Sequence, residues 1–184
     1  MEDLPEPPAR LTHAEVEIVF SHRTPGDARK GLVPGYHFII RGRNGREAGH
    51  INLRIGSTPH VTGVAGHIGY EILPQHRGHR YAEKACRALG PWAATFGMDL
   101  IITTDPDNAA SLRTIGNLAA RFIDEVDVPE DDPHFLRGSF RKRRYLWVPE
   151  PGGLSCGRPR GRGFPKSFFR LPLHSVLATN RIFV

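Results

Sequence analysis

Apolar and polar positions alternate from about Glu15: Val16, Ile18 and Phe20 are apolar, with Glu15 and Glu17 between them. That is the period of a half-buried strand. Residues 36–41 read as a second strand and Glu47 to Ile55 as a third, with Ile51, Leu53 and Ile55 facing one way and His50, Asn52 and Arg54 the other. Asn44-Gly45 between them is a strong hairpin signal, whereas 21–35, with Pro25, Gly26, Gly31, Pro34 and Gly35, reads as a loop. His67 to Leu73 is a fourth strand, stopped by Pro74. The period then changes: Tyr81, Ala85, Ala88, Leu89 and Trp92 recur at helical spacing, which predicts a helix over 79–96 ended by Gly97. Leu100–Thr104 is nearly all apolar, as in a strand buried on both faces. A second helix spans about 109–121, capped by Asp107 or Asn108, with a stripe of Leu112, Ile115, Leu118 and Ala119. Strands at 122–128 and 139–148 flank an acidic 129–133 loop.

The order β-β-β-β-α-β-α-β-β predicts an α+β fold, a mixed and mostly antiparallel sheet with flanking helices. Its limits are about 14–149, preceded by an acidic, Pro-rich flexible leader over 1–13. The 184 residues, 39% hydrophobic and 24% charged, suit one soluble domain. No apolar run approaches a membrane span and the N-terminus lacks a signal-peptide pattern, so a cytoplasmic protein is expected. Cys86 and Cys156 are too few for a disulfide framework or a zinc site, and the ten histidines show no metal spacing, so no metal is expected.

The net charge of +6 has a local origin. Residues 151–184 hold six Lys/Arg and no acid, and the rest balances at 19 of each sign. The body is therefore not a basic nucleic-acid binder. The tail, 150–184, is rich in Pro, Gly and Arg and reads as mostly disordered. A flexible appendage or a non-homologous extension, such as an altered reading frame, is favoured over RNA binding.

The informative stretch is Gly69-Tyr-Glu-Ile-Leu-Pro-Gln-His-Arg-Gly-His-Arg-Tyr-Ala82. A strand ends at a proline, a polar loop follows, and a helix starts at once. Free backbone N–H groups at a helix N-terminus, backed by the helix dipole, make an anion site. Gly78 permits tight curvature, small Ala82 allows close approach, and Arg77, His79 and Arg80 add positive charge, so the stretch reads as a phosphate or diphosphate cradle.

Arg77-Gly-His-Arg-Tyr-Ala82, after Ile72-Leu-Pro74, resembles the acetyl-coenzyme A signature of the GCN5-related N-acetyltransferases (GNAT), Arg/Gln-x-x-Gly-x-Gly/Ala. Asp105-Pro-Asp-Asn-Ala-Ala-Ser111 resembles the Asn-x-x-Ser start of that family's next helix. The resemblance covers roughly 14–148. It departs in three places: Arg80 replaces the signature's central glycine, Ile115 stands where many members carry a tyrosine acid, and 21–35 is too short for the two helices usual there.

The resemblance implies an N-acetyltransferase with acetyl-CoA as co-substrate, an amine attacking the thioester directly in a ternary complex. The diphosphate would rest on amides of Gly78, His79, Arg80, Tyr81 and Ala82, with Arg77 beside it. Pantetheine would pair with the edge near Ile72 and Leu73, and the Ile72 N–H would polarise the carbonyl. Glu71 is the first candidate base, Ser111 the group at the departing thiolate, and Asn108 a pantetheine contact. An amine-bearing small molecule or a protein N-terminus would be the acceptor; a membrane is not expected, nucleic acid is disfavoured, and a homodimer is compatible. The bland readings are a solvent-facing Glu71 and a plain helix cap at Asn108 and Ser111. The alternative function is a non-catalytic CoA-binding sensor or scaffold.

Overall fold

The computed structural model describes residues 4–149. They belong to the first of two compact units, Met1–Gly152, and the predicted tail lies outside the described residues.

Among the described residues, eight strands form two antiparallel sheets. The first runs in chain order: β1 (Arg10–His13), β2 (Val16–Thr24), β3 (Gly35–Arg41), β4 (Glu47–Arg54) and β5 (Ile68–Ile72). The second has β6 (Leu100–Thr104) and β7 (Arg121–Asp127) on either side of β8 (Arg141–Trp147). Helix α1 is Tyr81–Ala93, α2 is Ala109–Asn117, and α3 is one turn, Pro133–Leu136.

The alternation read from β3 and β4 sorts their faces. Tyr36, Phe38, Ile40, Ile51 and Leu53 are buried in a core shared with Ala85, Cys86, Leu89 and Ala93 of α1. Small residues let the helix sit close, and full burial of Leu89 contributes about 1.5–3 kcal/mol. Burial also pushes the Cys86 thiol far up, so it is an inert core residue.

Two expectations are corrected. The predicted leader ends in a real strand: Arg10–His13 pairs with Val16–Val19, and Leu4 and Leu11 pack against the core. Four residues with one apolar side chain carry no readable period. Strand β2 also runs past Phe20 into the supposed loop, because a bulge after Phe20 lets His22, Arg23 and Thr24 pair with His37, Tyr36 and Gly35.

The sheet divides in two between β5 and β6, through one side chain. The His67 N–H donates to the Ile101 carbonyl (2.7 Å), while the Ile101 N–H donates to His67 Nδ1 (2.9 Å) instead of to a neighbouring backbone carbonyl. The imidazole stands in for a rung of the ladder, and beyond it β5 and β6 share no sheet. His67 is 1% exposed, and burial lowers its pKa, so the ring is neutral with its proton on Nε2.

Candidate active site

The cleft between the two sheets has an open wall. Arg54 N–H donates to the His67 carbonyl and Leu73 N–H to the Ala48 carbonyl. With the antiparallel register, Gly69 and Glu71 therefore turn their backbone groups toward β4. Ile68, Tyr70 and Ile72 turn theirs to the free edge. The Ile72 N–H thus points into the cleft, while Arg77 Nε donates to its carbonyl (3.2 Å). Leu73 differs from expectation: its N–H is spent on Ala48 and its carbonyl accepts the His76 N–H, which leaves only its side chain for a ligand.

The loop after β5 supplies orphan donors. Among the described residues, the amides of Gly78, His79, Arg80, Tyr81 and Ala82 donate to no acceptor, and the first bond of α1 is Lys84 N–H to the Arg80 carbonyl. Gly78 has φ +86° and nothing within 4 Å of a built Cβ, so the loop is uncrowded at that point. Arg80 adopts the left-handed conformation, φ 58° and ψ 27°, that the signature glycine would take for free. Its guanidinium turns back onto Glu83 (Nη2 to Oε2, 2.7 Å). Glu83 is almost fully buried; burial opposes its ionisation, but hydrogen bonds from Arg87, Arg80 and Asn117 prevail and lower its pKa. The Arg80 guanidinium is therefore a clasp on the helix, and its backbone amide is left free.

Helix α2 closes the other side. Asn108 Oδ1 caps it by accepting the Ser111 N–H (3.0 Å). Ser111 Oγ lies 2.8 Å from the Tyr70 hydroxyl of β5. Burial pushes the Tyr70 pKa up to about 12, so the phenol stays protonated. Ile115 is 1% exposed, in the core.

The face of the first sheet opposite α1 carries His37, His50, Asn52, Arg54 and Glu71. Glu71 sits directly across from His50, with Oε2 3.9 Å from Nε2, and both are exposed. Gly49 secures this register. It ends a bulge at φ +154°, and any Cβ there would collide with the Glu71 carbonyl oxygen. Asn52 is 8% exposed, its Oδ1 packed over Gly69.

The residues fit a diphosphate carried on an extended amide arm: free N–H groups at a helix start, an unpaired strand edge beside them, and a hydroxyl across the cleft. A family model described as an acetyltransferase (GNAT) domain matches residues 3–121, more than half of the chain.

The chain belongs to the GNAT acetyltransferase family. Solved structures share the GNAT fold. A ribosomal-protein-S5-alanine acetyltransferase from Vibrio fischeri is 15% identical at a TM-score of 0.50, with 68% of this chain and 64% of that one covered. The microcin C7 self-immunity acetyltransferase MccE, in complex with acetyl-CoA and AMP, is 18% identical at 0.49, with 66% and 63% covered. RimJ of Mycobacterium smegmatis, in complex with a CoA disulfide, is 16% identical at 0.47, with 62% and 52% covered. This GNAT chain thus spans less than two thirds of each of those proteins. No curated protein sequence matches it. Acetyl-CoA is the GNAT family's co-substrate. No helix among the described residues is long and apolar enough to cross a membrane.

Sequence reasoning missed Tyr70, His50, Asn52 and the role of His67. Their positions on strands were legible, but the partners that define them lie on other elements.

The basic run Arg141-Lys-Arg-Arg144 on β8 is matched by acids of β7 and by Asp105. Arg141 and Arg143 meet Glu125, Arg144 meets Asp124, and Lys142 meets Asp105.

Proposed function

We propose that the protein is an acetyl-CoA-dependent N-acetyltransferase in which a primary amine attacks the thioester directly in a ternary complex. The observation that carries this reading is the run of five orphan amides from Gly78 to Ala82, continuous with the free edge of β5. The amides bind the diphosphate, and Arg77 and His79 lie beside it. The free edge of β5 pairs with the pantetheine amides, and the outward Nδ2 of Asn108 contacts the same arm. The Ile72 N–H donates to the thioester oxygen as negative charge develops on it.

The acceptor approaches from the sheet face that carries Glu71 and His50. Glu71 takes the amine proton, directly or through water, as the N–C bond forms. The C–S bond then breaks and the thiolate leaves. Ser111 Oγ donates a hydrogen bond to that sulfur, and Tyr70 holds the serine in place. A phenol with pKa about 12 is a poor acid toward a thiolate whose own conjugate acid lies near 8.5, so Tyr70 orients and does not supply the proton. The Tyr70–Ser111 hydroxyl pair bridging β5 and α2 supports turnover over a purely sensing module. The acceptor is an amine-bearing small molecule or a protein N-terminus.

A thiol-release assay with acetyl-CoA and a panel of amines tests the reading. Glu71→Gln is expected to lose turnover while retaining cofactor affinity. Tight CoA binding with no turnover on any amine would replace this proposal with the sensor reading.

A further inference from the structure

Outside the cleft, three donor side chains converge, one of them 72 residues away in the chain from the other two's segment. His60 precedes the helical turn before β5, Asp132 caps α3, and His134 lies in its first turn. Their donor atoms all lie within 4.8 Å of one another. His60 Nδ1 is 2.7 Å from Asp132 Oδ2, and His134 Nδ1 is 2.9 Å from Asp132 Oδ1.

The geometry points to a divalent transition-metal site formed by His60 Nδ1, Asp132 and His134 Nδ1. Two imidazoles and one carboxylate are the donor set that zinc and its neighbours prefer over hard cations. The carboxylate side chain is 7% exposed and fixed by the His134 N–H (2.7 Å to Oδ1). The two rings are 25% and 27% exposed, which leaves a solvent-facing position for water or another fourth ligand. On binding, each ring carries its proton on Nε2, and the metal takes the place of the N–H bonds to Asp132.

Two cations lie nearby, Lys142 and Arg137. Lys142 is matched by Asp105 at 2.6 Å, and Arg137 Nε is tied to the Pro133 carbonyl. With one carboxylate against those charges, the affinity is lower than at a closed four-ligand structural site. The ion would clamp the 129–137 loop to the segment leading into β5.

The test is equilibrium dialysis of the chelator-treated full chain against zinc, with bound metal counted by mass spectrometry and thermal unfolding followed with and without the ion. The wild type is expected to hold one equivalent more than His60→Ala/His134→Ala, to bind it at least about tenfold more tightly than either single variant, and to gain thermal stability that the double variant does not. His22→Gln/His37→Gln, which alters two histidines elsewhere, is expected to retain the site. Because Asp132 also caps α3, Asp132→Asn is read only with circular dichroism confirming a folded chain. No binding by wild type, or equal stoichiometry and affinity in wild type and His60→Ala/His134→Ala, would overturn the assignment and leave only adventitious surface binding.

Discussion

Arg80 separates a backbone cost from a side-chain gain. A left-handed conformation costs a non-glycine residue about 1–2 kcal/mol. Glycine at the same place avoids that cost but loses about 0.5–1 kcal/mol through its looser unfolded chain. The Arg80–Glu83 contact adds little: Arg80 is 61% exposed, where such pairs are worth about 0–1 kcal/mol. Glu83 also keeps Arg87 and Asn117 when Arg80 is truncated. Arg80→Ala and Arg80→Gly both remove the pair, and only Arg80→Gly relieves the backbone. Arg80→Gly should therefore be more stable than Arg80→Ala by about 0.5–1 kcal/mol, and close to wild type. Urea unfolding with equal m-values reads the difference. Calorimetry should find acetyl-CoA affinity within a few-fold of wild type in both, because the amide remains. Arg80→Ala as stable as Arg80→Gly would refute the strain argument. A collapse of cofactor affinity in both would show that the guanidinium, not the amide, binds the anion.

Glu71→Gln should lower kcat by about 100-fold or more in the thiol-release assay, with little change in acetyl-CoA binding. Tyr70→Phe should lower kcat modestly while leaving the KM for acetyl-CoA nearly unchanged; an equal loss in Ser111→Ala and in the double variant would show the two hydroxyls acting as one unit. His67→Ala should cost about 2–4 kcal/mol in denaturant unfolding, because it orphans the Ile101 N–H and leaves a buried gap. Burial lowers the pKa values of His67 and His37 relative to the unfolded chain. The unfolded chain therefore takes up protons first as pH falls, so stability should be full above about pH 6.5 and decline below it. A flat profile between pH 7 and 5 would contradict that assignment.

The strands that alternate cleanly were legible because one face of the first sheet is buried and apolar and the other is largely polar. Val16, Ile18, Phe38, Ile51 and Leu53 mark that division without any tertiary knowledge. What escaped depends on partners far away in the chain. Ser21-His-Arg-Thr24 is polar and reads as loop, yet its backbone completes β2 against β3. One sheet was expected where two exist, since nothing in the letters shows that the His67 ring would take a backbone rung. Glu83 looks like a surface charge on an amphipathic helix, but three donors draw it into the interior. The loop of free amides was legible because it is local: strand, proline, glycine and helix start follow within a dozen residues. His60 lies 72 residues from Asp132, and no spacing rule reaches that far.

In the proposed reaction, main-chain amides of one loop hold the diphosphate of acetyl-CoA. Backbone amide NMR of the full chain, titrated with acetyl-CoA and in parallel with acetyl-pantetheine, tests this residue by residue. The Gly78, His79, Arg80, Tyr81 and Ala82 signals should move most with acetyl-CoA and little with the fragment that lacks the diphosphate. Unmoved signals at those five positions, or shifts concentrated elsewhere on the molecule, would contradict it.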